Sequence, residues 1–492
     1  MQSQRKRFSS LPDFLQDFVP AFAWNHAAKL SEYILLYIFS IIVARSLVPG
    51  ANGIYATLIS ISQLLLTFSS VALDLTINRF LPQISDPHKD SKIVFLVRRL
   101  VSLKFILFFI CSLALIFCWS EVQHWFDVQS PVTGYLIFVV ALGFVRAIST
   151  SVSSVWISRL ESKAVFIVNV GTLLLQVAAA LFVIGKGHEL NAFLLIAFFG
   201  SALSVTAYVI LGREFITAPG EKIPMKPVFS FTGWLWINAI TTYIYGKQGD
   251  IMMLSFFSVS KTSVGCYDVA YSLSFLPSFA FAAGLGGISV SMFSRLAKEQ
   301  PTGIGKFWEK LSSLLTQITV PVYCFLALFA GNIVTLLYTD AYAESAQLLQ
   351  IFIAARILSR LFSGGESFDA LLNLNAEKAA VKIGMIGAAI NFLLNLILIP
   401  RLHAYGAVLA TSITIVVVDV STWILLKRRT FVPLLWNNWM RSLLVGIVPV
   451  FLMRVIFPFP SFSQLMLSAA FCILMWITGI FFVVQRKEMP RA

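Results

Sequence analysis

Apolar residues along this chain come in long runs separated by short polar connections. A bilayer core of about 30 Å is crossed by roughly 20 apolar residues in helical form. Runs near 27–46, 53–73, 93–118, 133–156, 164–185, 190–211, 231–257, 264–292, 311–338, 345–370, 379–399, 405–426, 437–457 and 463–484 reach that length. They predict an all-α integral membrane protein with about fourteen transmembrane helices. The longest connections, 73–92, 212–230 and 293–310, are too short to hold an inserted soluble domain.

Positive charge orients these spans. Alternate connections, counted from the N-terminus, hold about 25 Lys and Arg, and the opposite set about 4. The rich set includes Arg98, Arg99, Arg295, Lys298, Lys427, Arg428 and Arg429; the poor set holds Arg45, Lys186, Lys261 and Arg401. Both termini are therefore expected in the cytoplasm. Arg5, Lys6 and Arg7 are not closely followed by an apolar run with a cleavage site, so the start reads as a retained cytoplasmic leader.

A weak echo recurs along the chain. Gly53-Ile54-Tyr55 opens the second run and Gly265-Cys266-Tyr267 the eighth; Glu161-Ser162-Lys163-Ala164 and Glu377-Lys378-Ala379 precede the fifth and eleventh. Six helices separate the copies, which gives both halves one orientation, as in parallel-repeat transporters. The expected division is a cytoplasmic segment (1–26), a first six-helix lobe (27–211), a cytoplasmic linker (212–230), a second lobe (231–426), and a final helix pair with a cytoplasmic C-terminus (427–492).

Composition agrees. Of 492 residues 58% are hydrophobic and 12% charged, with a mean hydropathy of +0.83; soluble chains carry about 25% charge. The net charge of +14 does not indicate nucleic-acid binding, because the basic residues are scattered between apolar runs. Five cysteines and five histidines lack metal-ligand spacing, and no nucleophile elbow or phosphate-binding glycine loop occurs. No catalytic site, metal or cofactor is expected.

Charges inside apolar runs are costly and mark cavities or partners. The seventh run holds Thr241-Thr242-Tyr243-Ile244-Tyr245-Gly246-Lys247-Gln248-Gly249-Asp250, a stretch expected to bend or unwind where it lines water or protein. Lys247 and Asp250 are close enough on a helix to pair. Arg146 lies in mid-span four, and Arg356 and Arg360 share a face in span ten. These basic residues suit a phosphate-bearing substrate, or else form buried structural pairs. Tyr243 and Tyr245 are candidates for stacking on sugar rings. Asp250, Asp74, Asp268, Asp419, Lys29 and Glu32 are candidates for proton or sodium coupling or for ion pairing. Lys104 and Arg454 are expected to snorkel towards the interface.

Asn391-Phe392-Leu393-Leu394-Asn395-Leu396-Ile397-Leu398-Ile399-Pro400, followed by Tyr405-Gly406-Ala407-Val408-Leu409-Ala410-Thr411, resembles the signature of a known family. That family is the polysaccharide-transport branch of the multidrug/oligosaccharidyl-lipid/polysaccharide flippase superfamily, whose members include Wzx-type O-antigen flippases. Ile42-Val43-Ala44-Arg45, Pro49-Gly50, Gly53-Ile54-Tyr55, Asp74 and Arg79-Phe80 agree with it, as do Asp250, Val264-Gly265-Cys266-Tyr267 and Ala270. Leu47-Val48-Pro49-Gly50 departs from the more regular Leu-Gly-Pro of the family. Taken alone, Pro400 reads as a helix stop, Gly406 as a close-packing position, and the asparagines as cross-helix hydrogen bonders.

The resemblance implies a flippase that moves a lipid-linked oligosaccharide, usually on undecaprenyl pyrophosphate, to the periplasmic leaflet of the bacterial inner membrane by alternating access. Its partners would be glycosyltransferases and a polysaccharide polymerase, with H+ or Na+ as a candidate coupling ion. Arg146, Lys247, Arg356 and Arg360 would together hold the pyrophosphate. The alternatives are a cation-coupled small-molecule or multidrug exporter of the same superfamily, a membrane enzyme and a non-transporting scaffold. An enzyme would normally bring a large loop or an acidic metal motif, and neither is present in the sequence.

Overall fold

The computed structural model describes residues 30–488 except 71–72, 74–75, 78–90, 129–133, 159–161, 185–189, 212–224, 283–292, 294–295, 297–302, 363–364, 375 and 459–460. Among the described residues every regular element is a helix. The first half comprises α1 (30–46), α2 (Pro49–Ser70), α3 (Ser91–Phe117), the short α4 (Trp119–Trp125), α5 (Gly134–Ser158), α6 (Ser162–Ile184) and α7 (Leu190–Leu211). The second opens with α8 (Lys226–Ile244), α9 (Lys247–Phe256), α10 (Lys261–Ala282), α11 (Gly303–Leu328) and α12 (Ala330–Leu337). It continues with α13 (Ala343–Ser359), α14 (Glu366–Asn373), α15 (Glu377–Leu402) and α16 (Ala404–Lys427), and α17 (Trp436–Ile456) and α18 (Phe462–Glu488) follow.

The surface of this bundle is the reverse of a soluble protein's. Phe109, Phe117, Ile137, Phe182 and Ile210 all point outward, and only 6% of the Val165–Ile184 stretch is buried. So large an apolar exterior is stable only against lipid. Ten helical stretches among the described residues are long and apolar enough to cross a bilayer, against the fourteen runs read from hydropathy. Of the remaining four runs, the first starts outside the described residues and the seventh is broken. The eighth carries many polar groups, and the last is apolar over the shorter Ser463–Trp476.

Within the bundle, small polar side chains return their hydrogen bonds to the preceding turn. Thr57 donates to Gly53 O (2.8 Å), Ser60 to Ala56 O (2.8 Å) and Thr414 to Ala410 O (2.8 Å), so none needs water. Lys104 does not snorkel. It is fully buried and donates to the Thr150 and Ser151 hydroxyls at 2.8 and 3.0 Å. Arg454 instead donates to Asn332 Oδ1 at 2.7 Å.

The main crossing between the halves is α2 on α10. A Cβ on Gly53 would stand 2.0 Å from Lys261 O, and one on Gly265 would stand 2.1 Å from Pro49 O. The two copies of the Gly-x-Tyr echo therefore meet backbone to backbone, the close approach that glycine permits. Buried hydrogen bonds reinforce this end. Asn52 Nδ2 donates to Gly265 O (3.5 Å), the Thr57 and Ser255 hydroxyls are 3.0 Å apart, and the Tyr342 hydroxyl reaches Ala44 O (2.7 Å) and Leu47 O (2.9 Å).

Two local readings change. Helix α11 starts at Gly303, inside the expected polar connection, because Ile304 and Trp308 bury one face of its first turns beside Leu371 and Leu426. Pro400 does not end its helix. Helix α15 runs on to Leu402, and the turn comes at His403 (φ 52°, ψ −128°), an unusual conformation for a residue other than glycine. A Cβ on Gly406 would then stand 2.4 Å from Leu398 O, which explains the glycine after the turn.

Candidate substrate cavities and polar clusters

The polar seventh run folds as two helices. Helix α8 ends at Ile244, Gly246 adopts an extended conformation (φ −92°, ψ 175°), and α9 restarts at Lys247 with no side chain capping it. A Cβ on Gly249 would lie 2.2 Å from Ile244 O, so glycine lets the new first turn sit on the last carbonyls of the old helix.

The break opens onto a cavity of about 560 Å³ between the halves. Arg146 from α5 and Lys247 line it, with Tyr37, Tyr55, Gln248 and Asp268. Lys247 does not pair with Asp250. Its Nζ lies 2.6 Å from Asp268 Oδ1 on α10 and donates to Ser272 Oγ at 2.9 Å. Asp250, three residues further along α9, is taken instead by Tyr267 of α10, Asn395 of α15 and Thr411 of α16. Arg146 has no ion pair among the described residues and shares the cavity lining with Tyr55.

A second cavity of about 480 Å³ lies in the second half and shares Thr242, Tyr271 and Phe275 with the first. Here stand Arg356, Arg360, Asp419 and Tyr245. The expected single cluster of four cations is therefore split two and two. Arg360 is matched by Glu366, whose carboxylate lies 3.1 and 3.2 Å from Nη1. The pair forms because the chain tightens into a 3-10 turn at Arg360–Phe362, which brings an acid six residues ahead back over the guanidinium. Arg356 stacks on the Phe275 ring at 3.8 Å, and its Nε and Nη2 are buried without an acceptor among the described residues. Asp419 accepts a hydrogen bond from Ser359. Tyr243 lines neither cavity; its hydroxyl donates to Ser60 O at 2.9 Å, tying α8 to α2.

Asp250 is completely buried. It accepts from the hydroxyls of Tyr267 and Thr411 and from Asn395 Nδ2 at 2.8 Å. Asn395 also reaches Asn391 Oδ1 at 3.0 Å, and Asn391 donates to Thr411 Oγ1 at 3.1 Å. The asparagines and threonine of the sequence signature thus have one shared role, which is to surround this carboxylate with neutral donors. None of its hydrogen-bond partners among the described residues is basic. The spacing of Asn391 and Asn395, one turn apart in an apolar run, was the available sign of such a face; their partner on α9 was not.

A related but looser cluster occurs in the first half. Asn169 Nδ2 donates to Glu32 Oε1 at 3.1 Å, and the Tyr208 hydroxyl donates to Asn169 Oδ1 at 2.7 Å. Lys29 and Asp74 lie outside the described residues. No group of three or more His, Cys, Asp or Glu able to hold a metal occurs among the described residues.

Among the described residues, an all-helical bundle with an apolar exterior, a closed crossing at one end and cavities between and within its halves defines a multi-pass membrane protein. The chain belongs to the family described as polysaccharide biosynthesis protein, whose model matches residues 42–347. An uncharacterized membrane protein of Methanocaldococcus jannaschii is 22% identical over 469 residues, covering 89% of this chain and 90% of that protein. Among solved structures, the lipid II flippase MurJ in an inward closed conformation superposes with a TM-score of 0.70 at 13% identity, covering 93% of this chain and 98% of that one. An inward-facing multidrug resistance MATE family transporter of the MOP superfamily gives a TM-score of 0.60 at 11% identity, covering 82% and 98%. At such identities the likeness is one of fold.

Proposed function

We propose that the protein is a flippase that carries a lipid-linked oligosaccharide repeat unit, borne on undecaprenyl pyrophosphate, from the cytoplasmic to the periplasmic leaflet of the bacterial cytoplasmic membrane for surface polysaccharide synthesis. The cavity between the halves carries this reading. Among the described residues, Arg146 and Lys247 against the carboxylate of Asp268 leave its lining net positive, which suits a diphosphate passing through an apolar bundle. A lipid tail can remain in the bilayer while the polar head group occupies the cavity.

In the orientation given by the positive connections, the Gly53–Gly265 crossing is extracytoplasmic and both termini are cytoplasmic. A seal there fits a state that loads from the cytoplasmic leaflet and cycles by alternating access. Glycosyltransferases would supply the repeat unit and a polymerase would consume it. Asp250, an isolated acid among neutral donors, is the position for H+ or Na+ coupling.

The second reading is a cation-coupled exporter of small molecules. The Asp250 cluster and the MATE-like fold favour it. Deletion of the gene separates the two. The flippase reading expects lost surface glycan and build-up of lipid-linked repeat units on the cytoplasmic leaflet, restored by the intact gene. Unchanged glycan with raised drug sensitivity supports the exporter.

A further inference from the structure

The two cavities differ in charge. Between the halves, two cations face one acid. In the second cavity, Arg356 and Arg360 share the lining with Glu366, Asp369 and Asp419. Glu366 already holds Arg360, and Asp419 lines the same cavity as both arginines. A diphosphate brought here meets carboxylates as well as cations, so the second chamber is poorly suited to it.

The same lining suits sugars. Arginine offers donors, aspartate offers acceptors, and a sugar hydroxyl takes one of each. Arg356 lies over the Phe275 ring, and two of its nitrogens lack acceptors among the described residues, a state that a ligand oxygen relieves. Tyr271 stacks on Phe275 with centroids 4.7 Å apart, exactly where the two cavities meet.

Resting on the flippase reading, we propose that the second cavity is a glycan subsite. There Arg356 and Asp419 hydrogen-bond sugar hydroxyls beside Tyr245 and Tyr271, while Arg146 and Lys247 hold the diphosphate in the neighbouring chamber. The substrate then lies across the break between α8 and α9. Arg356 is a specificity residue for the sugar and does not belong to the phosphate clamp.

The test compares two lipids on purified protein in detergent: undecaprenyl pyrophosphate without sugar, and the lipid-linked repeat unit extracted from the deletion strain. Intrinsic tryptophan fluorescence reads both affinities. Arg356→Gln and Asp419→Asn should each weaken the glycosylated lipid about tenfold and leave the bare lipid within about twofold. Arg146→Gln should weaken both by about tenfold. Arg356→Lys keeps the charge but loses the fork, so it should behave like Arg356→Gln. Equal losses for both lipids in Arg356→Gln, or wild-type glycan binding in Arg356→Lys, overturn the subsite. Wild-type protein that binds neither lipid overturns the flippase reading beneath it. Unfolding midpoints near wild type for each variant establish that affinity alone has changed, and Tyr245→Phe, which keeps the ring, should retain binding of both lipids if stacking is its role.

Discussion

Each half of the molecule places a carboxylate near its start and meets it with an asparagine, yet the two sites are built to different standards. Glu32 on α1 is half-buried and takes the Asn169 amide from α6, which is steadied in turn by Tyr208 on α7. Asp250 on α9 is wholly enclosed and takes donors from α10, α15 and α16 together. Partial exposure makes the first a tie between helices. Complete enclosure by neutral donors makes the second a place where a small cation or a proton changes the energy of the whole packing.

The largest expected effect follows from that contrast. Asp250→Asn should reduce flipping in reconstituted vesicles about 100-fold, with near-normal protein levels, whereas Glu32→Gln should cost about threefold or less. Equal losses would erase the distinction. The glycine crossing supplies the control, because there the halves are equivalent. Gly53→Val and Gly265→Val each drive a side chain into the facing backbone and should destabilise the protein by similar amounts, about 2–3 kcal/mol, read as matched falls in unfolding midpoint. A large inequality would show that the repeat is not symmetric in energy. The smallest effects lie in the outer partners. Thr411→Val should cost about 1–2 kcal/mol, because a buried acceptor on Asp250 loses its donor, and Tyr208→Phe about 1 kcal/mol.

Much of the fold was legible because lipid imposes one rule, a run of apolar residues long enough to span. The broken seventh helix was legible too, since Gly246 and Gly249 interrupt a polar stretch. The pairing of charges was not. Lys247 pairs with Asp268 on α10, while Asp250, three residues on along the same α9, is taken up by Tyr267, Asn395 and Thr411, and spacing along one helix does not reveal partners on other helices. Arg360 found Glu366 through a tightened turn, and that removed a cation from the expected phosphate clamp. Two of the three partners of Asp250 arrive from 145 and 161 residues away, on helices whose facing sides only packing decides. The helix count differs for simpler reasons: the first run begins outside the described residues, the seventh is broken, the eighth is polar, and the last is apolar over a shorter stretch.

The meeting of Gly53 with Gly265 has an evolutionary consequence. The contact is reciprocal, Gly53 against the Lys261 carbonyl and Gly265 against the Pro49 carbonyl, as in self-recognition at a dimer interface. A half-length ancestor that carried this glycine would already have possessed the interface, with two identical chains joined at one patch. Gene fusion would have preserved that joint while freeing the rest of each copy to diverge, one towards a plain tie at Glu32, the other towards the enclosed acid at Asp250.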